Sequence, residues 1–152
     1  MSRLTDAQAA EAITAHHVEL SSEIRRRVDD LSDAVAAGVP HDEARRAVLD
    51  YLDRDLLPHA AAEEQALYPG GDRGMTALLV RAMRDEHRNL AAHVDRLRSV
   101  DTAVAAATTG AAILALFESH LAKENDLLVP ALVADPEVDL GALLEGMHEL
   151  VG

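Results

Sequence analysis

Two segments of the chain repeat one pattern of residues that could bind a metal ion. HAAAEEQALYP, residues 59–69, and HLAKENDLLVP, residues 120–130, each place a Glu four residues after a His and a Pro ten residues after that His. Imidazole nitrogen and carboxylate oxygen are both ligands of divalent transition metals. Residues four apart on a helix lie on one face, so each pair can direct both side chains to one point.

Two further histidines lie on apolar stripes in other parts of the chain. His17 follows Ile13 by four residues, and His87 follows Met83 by four residues. Because positions three and four apart share a helix face, both imidazoles should point inward with their apolar neighbours. The predicted metal ligands are therefore His17, His59, Glu63, His87, His120 and Glu124.

Four long segments with apolar residues at three- and four-residue steps must position these ligands. Thr5 is a candidate N-cap for the first helix and Gly38 its stop, while Pro130 is expected to end the fourth. The predicted helices span about 6–37, 48–67, 75–99 and from 101 or 109 to 130, followed by a tail helix at about 136–150.

Short connections between long amphipathic helices make neighbours antiparallel. The expected fold is all-α, an up-down-up-down antiparallel four-helix bundle over about 6–130 with a short C-terminal helix. One domain spanning 1–152 is expected, because a chain of this length can bury a substantial core.

Composition excludes several function classes. A net charge of -13 argues against nucleic acid or an anionic membrane surface as a partner, since both require a basic patch. The chain has no Cys, so it can form neither a disulfide nor a thiolate metal site. No apolar leader or run of membrane-spanning length stands out, so a cytoplasmic location is expected.

The energetics of burial favour a bound cation over a metal-free polar core. A buried carboxylate without a partner costs several kcal/mol, against a net domain stability of about 5–15 kcal/mol. Four imidazoles and two carboxylates suit two divalent first-row metals, and iron is the usual occupant of such sites in helical bundles. Zinc and manganese are also compatible with these ligand types.

Over about residues 10–130, the chain resembles the hemerythrin-like, or HHE cation-binding, domain in its bacterial branch. The matching motifs are AHHVEL with His17, HAAAEEQALYP, DEHRNL with His87, and HLAKENDLLVP. The resemblance implies a four-helix bundle with a non-heme di-iron centre, bridged by an oxo or hydroxo group.

Two departures separate the chain from the oxygen-carrying hemerythrins. Those proteins have a second His one turn after the third-helix ligand, where this chain has Ala91, and they end in His-x-x-x-x-Asp rather than His-x-x-x-Glu. One imidazole fewer leaves a position for water, O2, peroxide or nitric oxide, or for a phenolate from Tyr51 or Tyr68. Tyr68 is expected to pack at the end of its helix instead.

Several other polar residues have less specific expectations. His17 is preferred over His16 because His16 lies on the flank of the apolar stripe, and His16 and Glu86 are candidates to orient the ligand imidazoles. Glu64 is expected to be solvated or to accept a hydrogen bond near the site. Surface positions are expected for His41, His93 and His148.

The site admits more than one function. It could bind or sense O2 or nitric oxide, or it could be an enzyme that disproportionates peroxide or processes nitric oxide; iron storage or sensing is a further alternative. No motif indicates a pocket for a larger organic substrate. A monomer or homodimer is expected, because the outward helix faces show no continuous apolar stripe.

Overall fold

The computed structural model describes residues 3–151; residues 1, 2 and 152 of the predicted domain lie outside this description. Helices account for nearly all of the described chain, and no strand occurs within it. The α-helices are α1 (Asp6–Ala36), α2 (Asp42–Tyr51), α3 (Leu57–Ala62), α4 (Ala77–Ser99), α5 (Ala103–Lys123), α6 (Val129–Ala134) and α7 (Leu140–Val151).

Three π-helical turns extend these helices into longer rods. Leu52–Leu56 joins α2 to α3, Glu63–Leu67 follows α3, and Glu124–Leu128 joins α5 to α6. Short 3₁₀ turns at Tyr68–Gly71 and Gly74–Thr76 then lead into α4. The second rod thus runs from α2 through α3, and the fourth from α5 through α6.

The four rods form the predicted antiparallel bundle. Helix α1 packs against α2 and α5, and α4 packs against α5 and α2. The short C-terminal helix α7 lies against α1, α3 and the π turn Glu63–Leu67. The all-α fold class and the tail helix are confirmed.

The ends of α1 follow its local sequence. The Thr5 side chain accepts a hydrogen bond from the Gln8 backbone N–H, and the Gln8 side chain accepts one from the Thr5 N–H, which completes a capping box. Gly38, just beyond the helix, has a φ of 67°, a conformation that favours glycine.

The expectation that Pro130 ends the fourth helix is wrong, because α6 continues to Ala134. Pro130 comes two residues after the π turn Glu124–Leu128, and Pro58 and Pro69 follow their own π turns at the same distance. In a regular α-helix the proline ring strikes the carbonyl four residues earlier. The extra residue in a π turn relieves this clash, so the fourth rod can continue.

Two apolar clusters enclose the level at which the predicted ligands lie. Leu20 and Leu90 belong to one cluster, whereas Ile13 and Met83 belong to the other. His17 therefore lies between apolar layers on α1, and His87 does so on α4. Apolar side chains thus flank the ligands on both sides and limit the access of water to them.

The segment Ala103–Ala134 is long and apolar enough to cross a membrane by length and composition alone, which was not expected from the sequence. This rod packs against α1 and α4 in the bundle and carries the buried His120 and Glu124. A core helix of a soluble protein meets the same criterion, so the segment is weak support for a membrane span.

Candidate metal centre

All six predicted ligands converge in the interior of the bundle. Each comes from a different part of the four rods: α1, α3, α4 and α5 supply the histidines, and two π turns begin with the glutamates. None of the six is more than 8% exposed. They are His17, His59, Glu63, His87, His120 and Glu124.

The six donors form two overlapping groups that share Glu63. In the first, which we call the His17–His59 position, Glu63 Oε1 lies 2.8 Å from His59 Nε2 and 3.5 Å from His17 Nε2. Glu124 Oε2 also approaches this position, at 3.6 Å from His17 Nε2. Three to four donors could therefore surround one cation.

The second group, which we call the His87–His120 position, comprises Glu63, His87, His120 and Glu124. The two Nε2 atoms of its histidines are 3.0 Å apart, and Glu63 Oε2 lies 3.4 Å from His87 Nε2. Glu124 Oε1 contacts His120 Nε2. The two carboxylates lie between the positions, as bridging ligands would.

Three of the four imidazoles are oriented from behind by a side chain on another rod or helix. His17 Nδ1 lies 2.7 Å from Asn125 Oδ1, and His120 Nδ1 lies 2.7 Å from Glu86 Oε2. His87 Nδ1 lies 2.9 Å from Glu64 Oε1. Because these oxygens accept, each Nδ1 donates its proton and each Nε2 presents a lone pair to the centre.

Two of these contacts agree with roles considered from the sequence, and one was missed. Glu86 orients an imidazole, and Glu64 accepts a hydrogen bond while its side chain remains 38% exposed. Asn125 follows the ligand Glu124 and drew no attention in the sequence. Its role depends on how α1 lies beside the π turn, which local periodicity does not show.

The arrangement fits a bound cation. The Nε2 atoms of His87 and His120 face each other at 3.0 Å, so a positive charge, either a metal ion or a proton, must lie between their lone pairs. Four buried side-chain atoms within the described chain also lack a hydrogen-bond partner, and all belong to the cluster: His17 Nε2, His59 Nε2, Glu63 Oε1 and Glu124 Oε2. Unsatisfied buried polar atoms are costly, and metal ligation would satisfy all four.

The electrostatics of the metal-free cluster favour the uptake of protons. Burial acts to lower the pKa of His120, but its hydrogen bond to Glu124 and the charge of that carboxylate raise the pKa to about 9. Burial and the negative charge of Glu63 raise the pKa of Glu124 to about 6. Burial also acts to raise the pKa of Glu63, but the charge of His59 and the surrounding imidazoles hold it well below its ordinary value.

Tyr68 does not merely pack at the end of its helix, as expected, but reaches the His87–His120 position. Its hydroxyl lies 3.2 Å from Nε2 of both His87 and His120, and 3.3 to 3.4 Å from oxygens of Glu124 and Glu63. The side chain is fully buried. Burial and the charges of Glu63 and Glu124 raise the pKa of this phenol far above its ordinary value.

The π turn explains why Tyr68 was misplaced. Its backbone N–H donates to the Glu63 carbonyl five residues earlier, so residues five apart share a face here. A regular α-helix, with 3.6 residues per turn, would direct Tyr68 away from Glu63. The proline that follows is the only local signal of the wider turn.

The remaining candidates lie outside the ligand cluster. His16 is exposed, and its ring centroid lies 5.0 Å from that of His59. Tyr51 packs in the apolar core, with the Arg27 guanidinium 5.0 Å from its ring centroid. His148 is exposed as expected, whereas His41 and His93 are partly buried, and within residues 3–151 none of the three joins a metal-suited group.

The fold and the site together define a class: a helical-bundle protein whose interior His and Glu side chains are suited to hold a metal cation. The family model described as the hemerythrin HHE cation binding domain matches residues 8–138. The chain belongs to this family. Searches of curated proteins and of solved structures returned no significant match.

Proposed function

We propose that the protein binds two iron ions in the bundle core and that this pair binds or reacts with a small ligand, namely O2, peroxide or nitric oxide. The observation that carries the proposal is the pair of facing Nε2 atoms of His87 and His120, 3.0 Å apart, beside four unpartnered buried donor atoms. Iron suits this mixture of nitrogen and oxygen donors and supplies electron exchange with an oxidising ligand.

The residues of the chain provide the conditions for this chemistry. The side chains behind three imidazoles fix the ring orientation and raise the donor strength of Nε2. The apolar layers on both sides exclude water and limit side reactions. Together these features hold a compact, dry site of a size suited to diatomic or peroxidic ligands.

Metal analysis tests the first part of the proposal. Protein produced in iron-replete medium should contain two irons per chain, and Glu124→Ala should lose the pair because it removes a shared carboxylate. His93→Ala is the matched control, since among residues 3–151 the His93 ring bonds only to the Asn89 carbonyl of its own helix. An equal iron content in Glu124→Ala and wild type would refute the assignment of Glu124 as a shared metal ligand. Zinc or manganese in place of iron would refute the identity of the metal. An iron content far above two per chain would indicate iron storage.

Peroxide disproportionation is the second candidate function, and Tyr68 favours it. A carrier that binds O2 reversibly needs an inert pocket, whereas a phenol within 3.4 Å of four ligand residues can donate a hydrogen bond or a proton to a peroxidic ligand. The reaction converts two H2O2 into two H2O and one O2. Oxygen evolution on addition of peroxide to the iron-loaded protein would select the enzyme, and a reversible spectral change with O2 would select the carrier.

We further propose that the protein works in the cytoplasm as a single-domain monomer or homodimer, without nucleic acid or membrane partners. The net charge of -13 and the absence of Cys support this setting. Light scattering and a salt-dependent nucleic-acid binding assay would test it.

A further inference from the structure

The candidate centre is built from two matched halves. Each half has a His-x-x-Leu motif on one rod and a His-x-x-x-Glu motif that leads into a π turn and a Pro on the next. The hydrogen bonds also match, because the residue after each glutamate bonds to the Nδ1 of the other half's first histidine. The matched pairs are His17 and His87, His59 and His120, Glu63 and Glu124, Glu64 and Asn125, Tyr68 and Val129, and His16 and Glu86.

The halves differ at three of these pairs, and all three differences act in the same direction. A carboxylate supports His87, whereas the neutral Asn125 amide supports His17. A carboxylate likewise supports His120, whereas no side chain among the described residues accepts a hydrogen bond from His59 Nδ1. Both carboxylate acceptors therefore lie behind the His87–His120 position, and Lys123 pairs with one of them, Glu86.

The third difference concerns the space at each position. Tyr68 brings its hydroxyl among the donors of the His87–His120 position, but the matching residue of the other half is Val129, which has no donor atom. The His17–His59 position is thus left with fewer donors. A ligand from solution would compete with fewer protein donor atoms for a metal bound at that position.

A cavity adjoins the same position. It has a volume of about 130 Å³ and lies beneath α7, between that helix, α1 and α3. Its wall includes the imidazole of His59 and the apolar side chains of Ile13, Leu144 and Met147. Because a cavity of about 150 Å³ is large enough to hold benzene, this cavity accommodates small molecules up to about that size and excludes larger ones.

The chemistry of the wall selects for a small, uncharged guest. Aliphatic and thioether groups offer no compensation for a buried charge, while the imidazoles of His16 and His148 at the wall can hydrogen-bond to a polar neutral molecule. A wider cleft near His17 contains Glu118 and Asp126 and would repel anions. The Nδ1 of His17 is already bonded to Asn125 on that side.

We infer that the cavity beneath α7 is the passage and holding site through which a small neutral ligand, a diatomic gas or hydrogen peroxide, reaches the centre. This inference rests on the proposed function for its final step. The passage itself is a property of the protein fold and can be tested without metal.

Nitric oxide is the probe for the loaded protein, and its association rate with the reduced iron form is measured by stopped flow. Met147→Trp should fill the cavity and slow association by about tenfold or more, whereas Met147→Ala should accelerate it. Leu150→Trp places the same ring on the exposed side of α7 and should leave the rate unchanged. Iron content and the final extent of nitric oxide binding should equal those of wild type in all three variants.

Two results would overturn the inference. One is an unchanged rate in folded, iron-loaded Met147→Trp; if that variant fails to fold, an unchanged rate in Met147→Ala decides the question. The other is a slower rate in Ser21→Trp, which narrows the cleft near His17, without an effect at Met147. Crystals pressurised with xenon give a metal-independent test: xenon should occupy the cavity, and its absence there would refute the passage even if nitric oxide binds.

The failure of the proposed function would look different. In that case wild-type protein would bind neither iron nor nitric oxide, whereas xenon would still occupy the cavity beneath α7.

Discussion

The Nδ1 nitrogen of His87 lies 2.9 Å from Oε1 of Glu64, the residue that directly follows the shared ligand Glu63. One short segment thus provides a ligand to the centre and an acceptor for a ligand on another rod. Glu64 is partly exposed and has no Arg or Lys partner within the described chain, so its charge acts on the imidazole without compensation.

Replacing Glu64 should weaken metal binding without unfolding the protein. Glu64→Leu removes the acceptor of the His87 Nδ1 proton, and losses of this kind lower metal affinity by roughly 10- to 100-fold. Glu64→Gln keeps a neutral acceptor and should lie between that variant and wild type. Competition with a chelator measures the affinities, and Glu149→Leu, an exposed carboxylate of α7, serves as the control. Equal affinity in all four proteins would contradict the role of Glu64.

Lys123 should tune the reduction potential of the loaded protein. It is the only lysine of the chain, and its ammonium forms an ion pair with Glu86, which in turn accepts a hydrogen bond from His120 Nδ1. In Lys123→Met the carboxylate is no longer neutralised, so it should strengthen the His120 donor and lower the potential. Redox titration measures this shift. Arg88→Met, on an ion pair of the bundle surface, should leave the potential unchanged, and a rise in Lys123→Met would contradict the prediction.

Tyr68→Phe removes the phenol hydroxyl and tests whether that oxygen binds the metal. The variant retains all six predicted ligands and should bind metal, but any visible absorption band that arises from phenolate bound to iron should disappear. The matched control is Tyr51→Phe, because Tyr51 lies in the apolar core with Arg27 over its ring and should keep the band. A band that persists in Tyr68→Phe would exclude Tyr68 as its source.

The metal-free protein should lose stability as the pH rises from about 4.5 to about 9. Burial and Glu63 raise the pKa of the Glu124 carboxyl from its ordinary 4.5 to about 6 in the folded protein, so its stabilising proton is lost over this lower part of the range. Burial acts to lower the pKa of His120, but its interaction with Glu124 raises the pKa from 6.5 to about 9, so that contribution is lost over the upper part of the range. Both groups therefore act in the same direction between pH 4.5 and pH 9.

Melting temperatures of the chelated and the iron-loaded protein measure the effect. The chelated form should melt at progressively lower temperature between these two pH values, whereas bound metal replaces the protons and should flatten the dependence. A chelated protein whose melting temperature rises over this range would contradict the assignment.

Regular periodicity was sufficient to predict the bundle and the convergence of its polar residues. His17 and His87 lie on α-helices that keep 3.6 residues per turn, so counting by threes and fours places them correctly. His59 was also placed correctly, although the π turn Leu52–Leu56 directly before α3 interrupts that count. The metal that these residues would hold stays a prediction until it is measured.

The features that could not be predicted depend on π turns or on contacts between rods. Tyr68 and the continuation past Pro130 both follow from a turn that contains one more residue than the pattern assumes. The pairing of Asn125 with His17 joins residues 108 positions apart. Such a pairing depends on the relative axial position of two packed helices, which the spacing of residues within one helix does not determine.

The wider turn between Glu63 and Tyr68 contains one residue more than an ordinary α-helical turn needs. Removing Ala66 would allow an ordinary α-helical turn to form, with the tyrosine four residues after Glu63 and on the face that it already occupies. A deletion of one codon here would therefore keep the phenol at the centre, whereas the same deletion within a regular α-helix would rotate every later side chain by about 100° around the helix axis.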